Sequence, residues 1–218
     1  MEDNNLKVSF FKQHPLLGDI LSLISFVVCV VVGTILLNTF VFRSYNVVGH
    51  SMEDTLQNDD RVIVNRLAVS MAHFQGKEYI PKRGEIIVFA NGAASGEVTC
   101  KAPVGVADQY IIKRVVAFPG ERVTVKDGVM TVYNDEYPDG HVYDEEFRAN
   151  EKDGTGPKEN VSGEVDTVVP DGELFVSGDN RVGSYSMDSR NGLGTIPYCR
   201  LVGPALFRIW PLNKIRTL

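Results

Sequence analysis

Residues 110–133 read YIIKRVVAFPGERVTVKDGVMTVY, and this stretch decides the fold class. Its dense β-branched side chains predict strands over 110–118 and 122–125. Pro119-Gly120 is a turn signal between the two runs. Lys126-Asp127-Gly128 then separates RVTV from VMTVY, a pattern that predicts a hairpin with a tight turn. The stretch therefore indicates that the folded part of the chain is built from β-strands.

Similar strand-forming runs lie on both sides of this stretch. They are RVIVNRL at 61–67, EIIVFA at 85–90, ELFVSG at 173–178 and LVGPALFRIW at 201–210. Strands that alternate regularly with helices would indicate a parallel sheet, and the sequence has no such alternation. We therefore predict a mostly β protein with a mixed or antiparallel sheet.

Residues 134–172 differ from these runs in composition. They hold many Asp, Glu, Gly and Asn residues and few large apolar side chains. Such a stretch cannot fill a core, so we predict a long exposed excursion from the β-rich body.

Residues 20–42 read ILSLISFVVCVVVGTILLNTFVF and carry no charge. A helix of this length spans the ~30 Å hydrocarbon core of a bilayer. A cleaved signal sequence has a shorter apolar region, of ~7–15 residues, and a small-residue cleavage site, which this run lacks. We predict a transmembrane anchor at 20–42 that follows a short tail at 1–19. The positive charges on its two sides are nearly level, so they do not set the orientation.

Composition narrows the function of the β-rich body at 43–218. Of the 218 residues, 44% are hydrophobic, which is enough to form a packed core. The net charge of −6 would repel phosphate backbones and argues against nucleic-acid binding. Cys100 and Cys199 either pair or remain free thiols. No metal-ligand spacing or cofactor motif is visible, so we predict neither a metal nor a cofactor.

Five motifs carry functional information. They are VVGHSMEDTL at 47–56, RGEII at 83–87, the YIIKRVV strand with Pro119-Gly120, GDNR at 178–181 followed by SMDSR at 186–190, and FRIWP at 207–211. In this order, behind an N-terminal anchor, they resemble bacterial-type signal peptidase I. The resemblance covers most of the chain. It implies a membrane-bound serine endopeptidase that cleaves signal peptides from exported preproteins.

The resemblance implies that Ser51 is the nucleophile and Lys113 the general base. A serine hydroxyl needs an adjacent base near neutral pH. A solvated lysine titrates near 10.4, and burial lowers this pKa. Strand alternation puts Ile111 and Val115 on the same face as Lys113, which gives it an apolar setting. Arg114 lies on the opposite face and stays protonated, so it cannot be the base.

Supporting residues follow from the same resemblance. Ser186 matches the serine that orients the lysine amine, and Asp188 and Arg190 match positions that support the site. Counting back from Asp188-Ser189-Arg190 gives Ser186, whereas counting forward from Gly178-Asp179-Asn180 gives Ser184. The two counts differ because the loop after Asn180 is two residues longer than is usual in the family. Both serines remain candidates.

Substrate contacts are predicted along two segments. An extended substrate would add as a strand beside 46–51 and 110–113, with main-chain hydrogen bonds giving affinity. The residues expected to contact it are Val48, Gly49, Met52, Ile111 and Ile112. The resemblance implies small side chains one and three residues before the cut. It also implies preproteins and membrane lipid as partners, with the catalytic domain on the extracytoplasmic side of the cell membrane.

Two positions depart from the family pattern. Gly49 stands where some members have a serine that donates to the oxyanion, and Asp54 stands where proline is usual. His50 is a poor alternative base because, in an extended chain, it points away from its neighbour Ser51.

Two other functions stay open: another Ser–Lys peptidase of the self-cleaving kind, and a non-catalytic membrane-tethered β module that binds extended peptides.

Overall fold

The computed structural model describes residues 15–53, 55–91, 100, 109–143 and 161–218, which fall into two units, Met1–Val41 and Phe42–Leu218. In the first unit, helix α1 covers Pro15–Leu36 and continues as a π-helical turn over Leu37–Val41. The side chains of Leu16–Val41 are unburied, and the helix is long and apolar enough to cross a membrane. Its described part begins at Pro15, before the predicted residue 20.

In the described part of the second unit there are twelve strands, and one α-helix is described over its whole length. The strands are β1 (Phe42–Asn46), β2 (Arg61–Asn65), β3 (Ile86–Ala90), β4 (Tyr110–Ala117), β5 (Arg122–Lys126), β6 (Val129–Tyr133), β7 (His141–Val142), β8 (Val165–Val168), β9 (Glu173–Ser177), β10 (Ile196–Pro197), β11 (Leu201–Trp210) and β12 (Arg216–Thr217). Helix α2 covers Leu67–Phe74.

These strands form two sheets. The larger has the order β1-β2-β11-β3-β4-β9-β10, with β12 also paired to β11, and the smaller has the order β7-β6-β5-β8. Every pairing between these strands is antiparallel. The prediction of a mostly β protein behind one apolar helix is confirmed, with the antiparallel form of the sheet.

The predicted tight hairpin is β5–β6. Lys126 pairs with Val129, and the two residues between them, Asp127 and Gly128, have positive φ angles of 51° and 77°. This is the backbone that a two-residue hairpin turn needs, because its twist matches that of the flanking strands.

Two predictions on secondary structure differ from the structure. The strand predicted at 61–67 ends at Asn65, whose side-chain Oδ1 accepts a hydrogen bond of 3.0 Å from Leu67 N at the start of α2. The exposed excursion predicted at 134–172 contains β8, which pairs with β5. Tyr143 and Val161 within it are buried in the core beside the smaller sheet. That sheet buries one face, and these side chains help to cover it.

A hydrophobic cluster lies under the chain segment that joins β1 to β2. Met52 and Leu56 are buried there against Val62, Val64 and Val88. Full burial of side chains of this size contributes about 1.5–3 kcal/mol each. The segment that carries Ser51 is therefore part of the core and not a loose loop.

Cys100 and Cys199 form a disulfide, with their Cα atoms 5.8 Å apart. The sequence left this pairing open. The bridge ties a residue from the β3–β4 connection to the turn before β11.

Candidate active site

Ser51 and Lys113 meet in the second unit although 62 positions separate them in sequence. Lys113 Nζ lies 2.7 Å from Ser51 Oγ and donates a second hydrogen bond of 3.0 Å to the Ile112 carbonyl. The lysine is only 3% exposed. A neutral amine at this distance can accept the hydroxyl proton, so the contact suits general-base chemistry.

Burial changes the protonation of this lysine. It lowers the pKa of Lys113 from 10.5 to about 8, because the ammonium form loses hydration. The negative charges of Asp188 and Asp179 act in the opposite direction, and the positive charge of Arg190 acts with the burial. A substantial fraction of Lys113 is therefore neutral at mildly alkaline pH.

The backbone around Ser51 is held from two sides. Asn180 N donates to the Ser51 carbonyl at 3.0 Å, and Asn180 Nδ2 donates to the His50 carbonyl at 3.2 Å. Before the serine, Gly49 has a φ of 93° and donates its N–H to Asn58 Oδ1 at 2.8 Å. A side chain at position 49 would strain this left-handed backbone. These contacts fix the direction in which Ser51 enters the site.

Gly178 lies between the Ser51 backbone and Ser186, where there is no room for a side chain. A Cβ at position 178 would lie 2.2 Å from Ser186 Oγ and 2.3 Å from the Ser51 carbonyl oxygen. Glycine is therefore required by close packing and not by its backbone angles. The contact also shows that Ser186 lies directly beside the Ser51 segment.

Ser186, Asp188 and Arg190 form one buried network. Ser186 Oγ donates to Asp188 Oδ2 at 2.6 Å. Arg190 donates to both carboxylate oxygens, from Nη2 at 2.8 Å and from Nε at 3.0 Å, and Gly178 N adds a bond of 2.8 Å. Burial raises the pKa of Asp188, but the hydrogen bonds and charge of Arg190 outweigh it and hold the pKa below its ordinary value. This carboxylate is thus a permanent negative charge near Lys113.

The structure separates the two candidate serines. Ser186 is buried in this network, whereas Ser184 is exposed. In the described chain, the hydrogen bond of Ser186 Oγ goes to Asp188, while those of Lys113 Nζ go to Ser51 and Ile112. Ser186 therefore lies where it can support the site, through the carboxylate whose charge raises the pKa of Lys113.

The ion pair between Arg114 and Asp179 was missed by the sequence analysis, which considered Arg114 only as a base. Arg114 binds both oxygens of Asp179, at 2.8 and 2.6 Å, and donates to the Gly84 carbonyl and to Thr55 Oγ1. Burial raises the pKa of Asp179, but the Arg114 guanidinium outweighs it and lowers the pKa to about 2. The pair connects the RGEII, YIIKRVV and GDNR motifs. Their occurrence together in one order was the sequence signal from which this contact could have been predicted.

A groove of about 530 Å³ leads to Ser51 and Lys113. Four of the predicted contact residues line it: Val48, Gly49, Ile111 and Ile112. Val47 and Tyr110, within the two predicted segments, also line it. Other lining residues lie outside those segments, namely Tyr45, Val62, Val88, Tyr185 and Met187. Met52 does not line the groove, contrary to the prediction. Its side chain turns inward and is buried in the core cluster below.

One side of β4 is open along the groove. Residues 110–113 pair with β3, whereas β9 pairs with β4 only from Arg114 onward. Among the described strands, Ile111, Ile112 and Lys113 therefore have a ladder neighbour on one side alone. A segment of extended chain that enters the groove can hydrogen-bond to this edge.

The remaining candidates take no part in the Ser51–Lys113 contact. His50 Nδ1 bonds Glu53 Oε1 at 2.5 Å, and the imidazole is exposed. Asp54 lies outside the described residues. Among the residues that the structure describes, no group of three or more His, Cys, Asp or Glu side chains is placed to hold a metal ion.

A serine paired with a buried lysine in a groove of a β-sheet domain is an arrangement found among serine peptidases. The chain belongs to the signal peptidase family, peptidase S26, whose family model matches residues 20–210. It is therefore related to peptidases over nearly all of the β-rich unit and most of α1.

Two relatives from this family match most of the chain. The chain is 31% identical over 209 residues to signal peptidase I P of Bacillus subtilis subsp. natto, which covers 95% of this chain and 98% of that protein. It is 33% identical over 192 residues to signal peptidase I T of Bacillus subtilis strain 168, covering 87% and 85%. A crystal structure of a signal peptidase I from Enterococcus faecalis V583 matches 57% of this chain and 96% of its own, at 25% identity and a TM-score of 0.38.

Proposed function

We propose that this protein is a membrane-anchored endopeptidase that removes signal peptides from exported preproteins, with Ser51 as nucleophile and Lys113 as general base. One observation carries the proposal: Lys113 Nζ lies 2.7 Å from Ser51 Oγ, and the amine is buried. Membership of the signal peptidase family supports the reaction class.

The chemistry follows from this contact. Neutral Lys113 takes the proton of Ser51 as Oγ attacks the scissile carbonyl, which forms the tetrahedral intermediate. The resulting ammonium then protonates the leaving amine, and the C–N bond breaks to leave an acyl-enzyme. Lys113, neutral again, activates a water molecule that hydrolyses the ester and restores Ser51.

The intermediate needs donors that are fixed in advance. We assign this role first to the Ser51 backbone N–H, because Asn180 and the core beneath Met52 hold the segment in place. Gly49 offers no hydroxyl, so a second donor must be another backbone or side-chain group.

Substrate would bind along the open edge of β4. Its main chain would pair with residues 111–113, and alternate side chains would point into the groove. Val47, Val62 and Val88, whose side chains are buried, line the groove and give it an apolar wall. We propose, from the family resemblance, a preference for small side chains one and three residues before the cut.

The membrane anchor would keep the site close to emerging preproteins. We propose that α1 crosses the bilayer and that the β-rich unit lies on the extracytoplasmic side. The Cys100–Cys199 disulfide supports this side, since disulfides persist in oxidising compartments. Ser51 follows Val41 by ten residues, which span at most about 35 Å.

The test uses the full-length protein in detergent with a labelled preprotein, and the new N-terminus is sequenced. We expect a single cut behind an A-x-A-like sequence. Ser51→Ala should abolish it, whereas Ser44→Ala, which alters an exposed serine in β1, should not. Binding without product would indicate a non-catalytic peptide-binding module, and cleavage of its own chain alone would indicate a self-cleaving peptidase. Either result would overturn the proposal.

A further inference from the structure

Two side chains from the loop between β9 and β10 line the groove that leads to Ser51 and Lys113. They are Tyr185 and Met187, which are 66% and 52% exposed. Ser186 between them is only 1% exposed, so the chain here turns side chains alternately outward and inward, as an extended segment does. The two outward side chains, the 185/187 pair, therefore lie on one side of this segment and face the groove.

The backbone that carries the 185/187 pair is held by buried residues next to it. Ser186 Oγ and the Gly178 N–H both donate to Asp188 Oδ2, at 2.6 and 2.8 Å. Arg190 binds both oxygens of the same carboxylate. Side chains on a segment that is fixed in this way lose less conformational entropy when a ligand packs against them. The pair is thus suited to selecting among substrates.

The 185/187 pair lies where the open edge of β4 ends. Ser186 packs against Gly178, since a Cβ at position 178 would lie 2.2 Å from Ser186 Oγ. Gly178 directly follows Ser177, the residue of β9 that pairs with Arg114. The loop therefore passes the point at which β9 takes up the edge that residues 110–113 leave open.

A substrate chain cannot continue along β4 beyond the bond that is cut. In the binding mode proposed above, the residues before the cut pair with 111–113, and the scissile carbonyl lies at Ser51 and Lys113. The next residue of β4 is Arg114, and β9 already pairs there. The first residue after the cut must therefore leave the sheet at this point, where the 185/187 pair lies.

We propose that Tyr185 and Met187 bind the side chain of the first residue after the cut, and that they give this protein a preference for an apolar or aromatic residue there. The inference rests on the proposed function, to which it adds a determinant of specificity. A tyrosine ring is large and rigid, and a methionine thioether is adaptable, so both pack well against apolar and aromatic groups. Neither carries a charge, so an acidic side chain would lose hydration there without gaining an ionic partner.

The test uses the full-length protein in detergent and four preproteins that share one signal peptide. They differ only in the first residue after the cut, which is Ala, Leu, Phe or Asp. The measurement is kcat/KM for each preprotein. We expect kcat/KM for the Leu and Phe preproteins to exceed that for the Asp preprotein by about 10-fold or more.

Variants of the loop assign this preference to the two side chains. Tyr185→Ala combined with Met187→Ala should bring the Leu-to-Asp ratio of kcat/KM to within about 2-fold of one. Tyr185→Phe combined with Met187→Leu should keep the ratio, because the ring and the apolar volume remain. Val182→Ala is the matched control, since Val182 is exposed in the same loop but does not line the groove, and it should also keep the ratio.

A second pair of preproteins separates selection from damage to the groove. These two carry Ala or Val three residues before the cut, and their kcat/KM ratio should be the same in the parent protein and in every variant. A change in this ratio in the double alanine variant would overturn the inference, because the substitutions would then disturb the whole groove.

Three other results would also overturn the inference. Equal kcat/KM for the four preproteins in the parent protein would do so and would leave the proposed function standing. A preference that survives in the double alanine variant would mean that another surface contacts this residue. Cleavage of none of the four preproteins would overturn the proposed function and the inference together.

Discussion

Lys113 Nζ and Ser51 Oγ lie 2.7 Å apart, with the amine buried and the hydroxyl at the end of an open groove. The lysine comes from the middle of a central strand, and the serine comes from a segment fixed by buried Met52 and Leu56. Both partners are thus held by the core. A catalytic pair needs this rigidity, because small misplacements reduce rates strongly.

The pH profile of cleavage should report the lowered pKa of Lys113. Because the neutral amine is the active form, kcat/KM should rise with pH up to about 8 and level off above it. With a solvated lysine, this rising limb of the pH profile would instead have its midpoint near pH 10.4. Initial rates on a peptide substrate from pH 6 to 10 check the prediction, and a flat profile between pH 6 and 9 would contradict it.

Removing the charge of Asp188 should move that limb. The carboxylate raises the pKa of Lys113, so Asp188→Asn should shift the limb to lower pH. A merely structural role would lower the rate at every pH without moving the limb. The pH profile of the variant, compared with that of the parent protein, separates the two. A limb that stays in place would exclude an electrostatic role for Asp188.

The two serines of the GDNR–SMDSR loop should differ in their effects. Ser186→Ala removes a buried hydrogen bond to the Asp188 carboxylate, and bonds to charged groups contribute about 1.5–3 kcal/mol. We expect the loss of this hydrogen bond to lower kcat roughly 10- to 100-fold. Ser184→Ala is the matched control and should change little, because Ser184 is exposed. Equal effects of the two substitutions would contradict the assignment.

Gly178→Ala should damage both stability and activity. The added methyl group would lie 2.2–2.3 Å from Ser186 Oγ and the Ser51 carbonyl, so the Ser51 segment must move. Overpacking of this kind costs about 1–3 kcal/mol. Gly33→Ala is a suitable control, because a Cβ there meets nothing within 4 Å. The melting temperature and kcat should both fall for position 178 only, and a fully active Gly178→Ala protein would show that the segment is not tightly held.

The Arg114–Asp179 pair should stabilise the fold in a pH-dependent way. The folded pKa of Asp179 is about 2 and its ordinary value is 3.8, so the stabilisation is complete above about 4 and is lost as pH falls through 2. Asp179→Asn should therefore weaken the loss of stability between pH 4 and 2. Urea unfolding at several pH values measures this slope. An unchanged slope would show that the pair contributes little.

The sequence predicted seven of the twelve described strands, because β-branched runs and tight turns are local signals. The short strands β1, β7, β8, β10 and β12 were not predicted. The β5–β6 hairpin is one example, since Asp127 and Gly128 encode the turn themselves. Helix α2 was missed because its exposed residues are apolar, so the stretch after Asn65 looked like a continued strand. The strand β8 was missed because its VDTV sequence is short and lies inside a polar region.

The candidate site was predicted through motifs and not through local structure. The meeting of residues 51 and 113 depends on long-range sheet pairing, which no short window contains. Met52 was predicted to contact substrate, but the turn after Ser51 directs its side chain into the core. The partnership of Arg114 with Asp179 likewise depends on the β4–β9 pairing. Such contacts follow only once the register of the sheet is known.

The most direct test of the Ser51–Lys113 mechanism is the activity of Lys113→Arg, measured as kcat/KM on a preprotein between pH 6 and 10. Arginine keeps the positive charge but cannot lose its proton, so we expect a loss of about 10²–10⁴-fold at every pH. Lys126→Arg, at the exposed end of β5, should be fully active. Normal turnover by Lys113→Arg would contradict the mechanism.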